Sequence, residues 1–269
     1  AAQPAGSSES KPWWHRAKEW VSSPVGYGTI LGGIIGSMVG GFLGGPTGLV
    51  GGMAVGATIG AMWGSAQEGY LRTASELIQG NPWLSHRPTD FPSDPSAATD
   101  WLLHTMQSNA QGPIAETLRQ THQKMGPLGR LVTVPIWIGL VKGDGPWDFK
   151  PEQKKWGWNN LTGPMELAGL QVRRDAFSNI HYGYVGRSLG YSRWFLELGA
   201  GIAQIQAGDS RWVYWKTWFD DPVDNAAIRA GMDLYDQYIA HGKQLDENAL
   251  QEALLQHPDV LCTPECKKP

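Results

Sequence analysis

Residues 25–66 read VGYGTILGGIIGSMVGGFLGGPTGLVGGMAVGATIGAMWGSA. No charged side chain occurs from Trp20 to Gln67, and glycine returns at every fourth position: Gly28, Gly32, Gly36, Gly40, Gly44, Gly48, Gly52, Gly56, Gly60 and Gly64. A period of four keeps these glycines on one slowly drifting helix face. Such a stripe lets a second backbone come close, and van der Waals packing then holds the pair. Pro46, just after Gly44 and Gly45, marks a turn. The run therefore divides into two spans, residues 25–44 and 47–66, each near the roughly 20 residues that cross a bilayer. Glycine costs about 1 kcal/mol against alanine in a helix in water, so the stretch is not expected to stand alone as a soluble helix. It reads as a membrane-inserting glycine-zipper hairpin, or else as a hairpin packed in protein or held by a chaperone.

The flanks fit a membrane-facing segment. Residues 1–24 form a lead whose first twelve positions are small and polar, the composition of a disordered arm. Trp13, Trp14, Arg16, Lys18 and Trp20 then supply the aromatic and basic side chains of an interfacial anchor. The start, Ala1-Ala2-Gln3-Pro4, has no basic stretch and does not read as a signal peptide; the chain reads as a piece of something longer. After the hairpin, residues 67–97 read as a helix with Tyr70, Leu71, Ala74, Leu77 and Ile78 at helical spacing, then a linker with Pro82, Pro88, Pro92 and Pro95.

Residues 98–269 read as a second, predominantly helical domain. Trp101, Leu102 and Met106 mark a helix over 98–111, and Pro113 opens another in a first-turn position. The apolar run 131–141, with Pro135 inside it, suits either a strand or a kinked buried helix. Residues 142–165 look like loop. A helical stretch over 184–206 is broken near Gly190. Asp221-Pro222 opens a helix to about His241, with Asp224 in the turn where the helix dipole favours negative charge, and Asp246 caps a last one. No convincing alternating strand is visible. The fold class expected is mostly α.

Composition narrows the function. The 269 residues carry a net charge of -3, so the strongly basic surface of a nucleic-acid binder is absent overall. Tryptophan is abundant, with 14 residues, and suits cores, sugar-stacking clefts and membrane interfaces alike. The only cysteines are Cys262 and Cys266, too few for a structural zinc site. They allow either a local disulfide in an oxidising compartment or a free pair in a frayed tail. No metal site and no particular cofactor is legible.

The most unusual wording lies between residues 147 and 235. Trp147-Asp148-Phe149-Lys150 is followed by Asp175 and by Ser178-Asn179-Ile180-His181-Tyr182-Gly183-Tyr184-Val185-Gly186-Arg187. Next come Gly190-Tyr191, Leu198-Gly199-Ala200-Gly201 and Asp221-Pro222-Val223-Asp224, with Ile228, Gly231, Leu234 and Tyr235. Over about residues 140–240 this order resembles the type 44 family of bacterial polymorphic toxin domains. The resemblance implies a toxin used between competing bacteria, a cognate immunity protein in the producer, and a secretion or delivery apparatus. A glycine-zipper hairpin ahead of the toxin fits delivery to the target-cell membrane.

The reaction must come from the residues. Asp148, Asp175, His181 and Glu166 are the candidate acids and bases, because a carboxylate and an imidazole share proton transfer near neutral pH. Asn179 and the backbone around Gly183 are candidate oxyanion donors. Tyr182 and Tyr184 can stack on a ring, and Lys150, Arg173 and Arg174 supply positive charge for a phosphate or carboxylate. The bland readings stand beside these: His181 lies between apolar neighbours as a core histidine would, and Asp221 and Asp224 suit a helix start better than a ligand site. The Gly199-Ala200-Gly201 group lacks the ending of a P-loop. Three functions compete: a hydrolase acting on peptidoglycan or its lipid-linked precursor, a cytoplasm-acting nuclease, and a pore formed by the hairpin. Residues 142–193 hold eight Lys/Arg against five Asp/Glu, and residues 209–268 reverse the balance with six against eleven. A phosphate-backbone binder needs more positive excess than that, so the envelope hydrolase ranks first.

Overall fold

The computed structural model describes residues 95–141, 145–150, 153, 163–207 and 221–262, all within the compact unit Thr73–Pro269. The glycine stripe, its aromatic-basic lead and residues 67–94 lie outside the described residues. Among those described the fold is mostly α, as the sequence led one to expect, and no helix is long and apolar enough to cross a membrane.

Helix α1 (Ala98–Gln111) buries Trp101, Leu102, Thr105 and Met106 along one stripe and stops before Gly112-Pro113. Helix α2 (Pro113–Val141) begins with proline, whose missing N–H costs nothing in a first turn. It contains the apolar run 131–141, which is therefore helix and not strand. Its break falls at Gly126, not at Pro135: Gly126 has φ 56° and ψ -132°, a backbone that an L side chain resists. Val134, Trp137 and Leu140 turn inward from the second part.

A β-hairpin appears although no strand was expected. Strands β1 (Pro164–Leu167) and β2 (Leu170–Arg173) pair antiparallel, with Met165 opposite Val172 and Glu166 opposite Gln171. Four-residue strands are too short for alternation to stand out in a sequence. The turn places Ala168 at φ 51° and Gly169 at φ 71°, both left-handed, which suits a two-residue hairpin. Ala168 accepts this strain while its N–H donates to Thr99 Oγ1 and its carbonyl takes a hydrogen bond from Gln251, each at 2.9 Å. The C-terminal tail joins the hairpin: Leu261 bridges Val172 and the Cys262 N–H donates to Gln171 O at 2.8 Å. Cys262 is disulfide-bonded and Cys266 is the only other cysteine in the sequence, so the disulfide alternative holds over the free, frayed pair.

Helix α3 (Ala176–Ser188) follows β2 directly and ends at Gly190, φ 90°. Helix α4 (Arg193–Ala207) comes next. Helix α5 (Pro222–Asp233) runs on through a π turn, Leu234–Tyr238, and a 3-10 turn, Ile239–His241, to left-handed Gly242. Helix α6 (Glu247–Leu255) is capped by Asp246, which accepts from the Ala249 N–H at 2.9 Å. An aromatic chain fills the interior: Trp101 stacks on Phe177, Phe149 meets both, and Trp147, Trp137 and Tyr191 continue the line.

The centre of the domain is the α3–α5 pair. At their crossing a Cβ on Gly183 would lie 2.1 Å from Ile228 O, and one on Gly231 would lie 2.0 Å from Ile180 O. The two backbones touch, so neither position has room for a methyl group. The helices run parallel: Arg173 at the start of α3 reaches Asp221 and Asp224 at the start of α5, and Arg187 near the end of α3 pairs with Asp236 at 2.9 Å. Gly183→Ala and Gly231→Ala are each expected to cost about 3 kcal/mol, the scale of a severe core clash. Denaturant unfolding checks this, and an unchanged midpoint for both variants would contradict the packing.

Candidate functional site

Two helices that start side by side bring their first turns together. Each starts after an aspartate, Asp175 before α3 and Asp221 before α5. Each then carries polar residues three and four positions on: Ser178 and Asn179 in α3, Asp224 and Asn225 in α5. That spacing places each set on one helix face. Arg173, the last residue of β2, is delivered between them by the hairpin.

Arg173 is buried. Its Nε donates to Asp175 Oδ1 at 3.0 Å and its Nη2 donates to Asp175 Oδ2. Nη1 stands 3.7 Å from Asp221 Oδ1, and Nη2 stands 3.9 Å from Asp224 Oδ1. Burial disfavours its charge, but the hydrogen bonds to Asp175 and the nearby carboxylates outweigh this and hold the guanidinium firmly protonated. Asp221 also caps α5, accepting the Val223 N–H at 2.9 Å, and its side chain is 23% exposed, which makes it the open edge of the group.

Asp224 is the perturbed member. Burial pushes its carboxyl up to about 6; Asp175 and Asp221 push the same way, against the cations Lys150 and Arg173. A carboxyl that titrates near 6 can give or take a proton near neutral pH.

Several buried polar atoms at these helix starts have no hydrogen-bond partner: Arg173 Nη1, Ser178 Oγ, Asn179 Nδ2, Asn225 Nδ2 and Gln153 Oε1. Gln153 is fixed by its other end, with Nε2 donating to Arg174 O at 2.9 Å. Folded proteins seldom leave buried polar atoms unsatisfied, so these atoms are open to a ligand or to ordered water.

The residues singled out in the sequence divide accordingly. Asp175 and Lys150 lie at this group, and Asp148 is tied to it through the Lys150 N–H, which donates to Asp148 Oδ1 at 3.1 Å. Arg174 lies beside it through its backbone, and Asn179 contributes one of the unpartnered amides. Glu166 does not join: it is on the exposed face of β1. Tyr182 ties α3 to α4, its hydroxyl donating to Leu196 O at 3.0 Å while its ring leans on Trp137. Tyr184 packs edge-on against Tyr235, and burial raises its phenol. Gly183 is the helix crossing. His181 faces the interior with no exposure, caged by Phe149 and Trp147, and Asn109 Nδ2 donates to its Nε2 at 2.9 Å. The core-histidine reading of His181 fits this geometry. Asp221, Asp224 and Asn225 were set aside as a helix start or not singled out, and Ser178 likewise; the repeated i, i+3, i+4 polar spacing after two aspartates was the signal for them.

Residues 136–237 match the family model described as bacterial toxin 44, Ntox44. The mostly helical domain with this acidic, arginine-centred site is thus a bacterial toxin domain. The matched segment contains every residue of the site and spans well under half of the chain. No curated protein and no solved structure matches the chain.

His181 gives the fold a pH dependence. Burial depresses its imidazole from 6.5 to about 3, so between those values the unfolded chain binds a proton that the folded chain refuses. His181 therefore stabilises fully above about pH 6.5 and loses about 1.4 kcal/mol for each unit below it. Asp224 has the opposite sign: with its carboxyl raised from 3.8 to about 6, stability is lost as pH rises between those values and the full cost stands above them. Urea unfolding from pH 8 to pH 4 should lose more stability in the unaltered protein than in His181→Phe. At pH 7.5 Asp224→Asn should be neutral or up to about 2 kcal/mol stabilising. A strongly destabilised Asp224→Asn would contradict the desolvated carboxyl.

Proposed function

We propose that this chain is an antibacterial effector whose toxin domain hydrolyses the cell envelope of competing bacteria, acting on peptidoglycan or its lipid-linked precursor. The observation that carries the reading is the convergence of three carboxylates on Arg173, one of them poised to protonate near neutral pH. Asp224 is the general acid. Asp221, at the open edge, is the carboxylate that takes a proton from attacking water. Asp175 grips Arg173 from both oxygens and so positions the other two. His181 serves the core.

The charge arrangement favours this over a nuclease. Three of the eight cations in residues 142–193 are already paired: Arg173 with its aspartates, Arg187 with Asp236, and Arg193 with Asp233 and Asp236. A polyanion would meet paired arginines and three carboxylates. The hairpin is the membrane-facing part of the reading and rests on the sequence alone. The toxin family suggests delivery to a target cell and an immunity protein in the producer.

Expression with and without a periplasmic export signal tests the proposal. Lysis is expected only after export, and Asp224→Asn or Asp221→Asn should cut it by about 10²-fold or more while thermal unfolding stays cooperative. Toxicity confined to the cytoplasm with degraded DNA or RNA would contradict it.

A further inference from the structure

We infer that Lys150 is a positioning residue of the acidic site: the turn that carries it is fixed beside the start of α3, and its ammonium steadies the Asp224 carboxylate left behind when that group gives up its proton. The inference rests on the envelope-hydrolase reading for the reaction that Asp224 serves; the placement of Lys150 does not depend on it.

The core places the turn. Trp147 and Phe149 are buried, and Phe149 packs edge-on against Trp101, Phe177 and His181. The Trp147 N–H donates to Leu140 O at 2.8 Å, and the Asp148 N–H donates to Gly145 O at 3.0 Å. Asp148 Oδ1 then accepts the Lys150 N–H, so the aspartate closes a turn on the backbone two residues ahead. Three residues on, the Gln153 N–H donates to Phe149 O at 2.8 Å, while the Gln153 side chain donates to Arg174 O. Arg174 stands in the chain between Arg173 and Asp175. Lys150 is therefore flanked by a buried anchor on one side and a tie to the β2–α3 junction on the other.

The ammonium is uncommitted. Lys150 is half-buried, and among the described residues its Nζ makes no hydrogen bond and no ion pair. Arg173, by contrast, is gripped by both oxygens of Asp175. Of the charges that bear on Asp224, that of Lys150 weighs most, ahead of Asp175, Asp221 and Arg173. Other charges on α5 and its extension are matched further along: Arg229 with Glu197 of α4, Asp233 with His257 and Arg193, and Asp236 with Arg187 and Arg193. A lysine is a compact charge on a flexible stem and can follow a carboxylate as it ionises, which a guanidinium held in a fork cannot.

Counting charge gives the role. With Asp224 protonated, Asp175 and Asp221 balance Arg173 and Lys150. When Asp224 donates its proton to the leaving group, one negative charge is left over until Asp221 takes a proton from water. Without Lys150 the excess would be two. A buried site resists that second charge, so Asp224 would hold its proton more tightly and be the weaker acid. Lys150 itself moves no proton and forms no bond.

Side-chain NMR titration of Asp224 in the full chain tests this. Lys150→Met and Lys150→Gln should each raise its midpoint by about 0.5 pH unit or more, and Lys150→Arg, which keeps the charge, should show less than half that shift. A midpoint that stays put or falls in either folded neutral variant would overturn the inference. Digestion of purified sacculi from pH 5 to pH 9 is the second readout. Asp224 acts in its protonated form, so the rate should fall as pH rises through its midpoint. Lys150→Met should carry that fall to higher pH by the shift that NMR reads, and lower the rate on the plateau. An unmoved fall in rate beside a raised Asp224 midpoint would overturn the role of Lys150 in the reaction. No digestion by the unaltered chain at any pH would overturn the envelope reading alone, and the titration would still decide whether Lys150 governs Asp224.

Discussion

Gly183 and Gly231 let α3 and α5 lie backbone against backbone, and the chemistry of the domain follows from that contact. With no side chain between them the helices run parallel and in step, so their first turns come level. A pair of parallel helices places two positive dipole ends side by side, which is a favourable place for carboxylates. Asp175, Asp221 and Asp224 occupy it, and the hairpin inserts Arg173 to hold their charge in the interior. Three carboxylates could not share so buried a place without that cation. Moving the crossing by a single methyl group would separate the first turns and dissolve the group.

The surrounding structure keeps Arg173 in position. The hairpin that carries it is short, but it is tied on three sides: to α1 through Thr99, to α6 through Gln251, and to the C-terminal tail through Leu261 and the Cys262 N–H. The disulfide at Cys262 constrains the tail end of that third tie. At the far end of α3 and α5 a second network, Arg187 and Arg193 with Asp233, Asp236 and His257, closes the pair. One end of the helix pair is thus saturated with ion pairs. The other retains buried polar atoms without partners. Function is assigned to the unsatisfied end because satisfied networks serve stability and leave nothing for a ligand.

Much of this was legible in the sequence, for identifiable reasons. The helices announced themselves through apolar spacing and through caps: Pro113, Asp221-Pro222 and Asp246 each mark a start that the structure has. Gly190 marks a stop for the same reason, since only a left-handed backbone ends α3 there. The hairpin was missed because strands of four residues give alternation too little length to register. The break in α2 was sought at Pro135 and lies at Gly126, where a positive φ and not a missing N–H makes the bend. At the site, Asp175, Lys150 and Asn179 were picked out by neighbourhood to an unusual string. His181 drew notice for its chemistry, yet its apolar neighbours on either side already described a core position. Asp224 is the instructive case. A helix-start aspartate and a general acid look the same in a sequence, and only burial beside two other carboxylates distinguishes them.

The most direct test is the titration of Asp224 itself, followed through its side-chain carboxyl carbon by NMR in the intact protein. The account predicts a midpoint near 6, far above the ordinary aspartate value of 3.8, with a fall toward that ordinary value when Asp175 and Asp221 are both replaced by asparagine. A midpoint at or below 3.8 in the unaltered protein would contradict it.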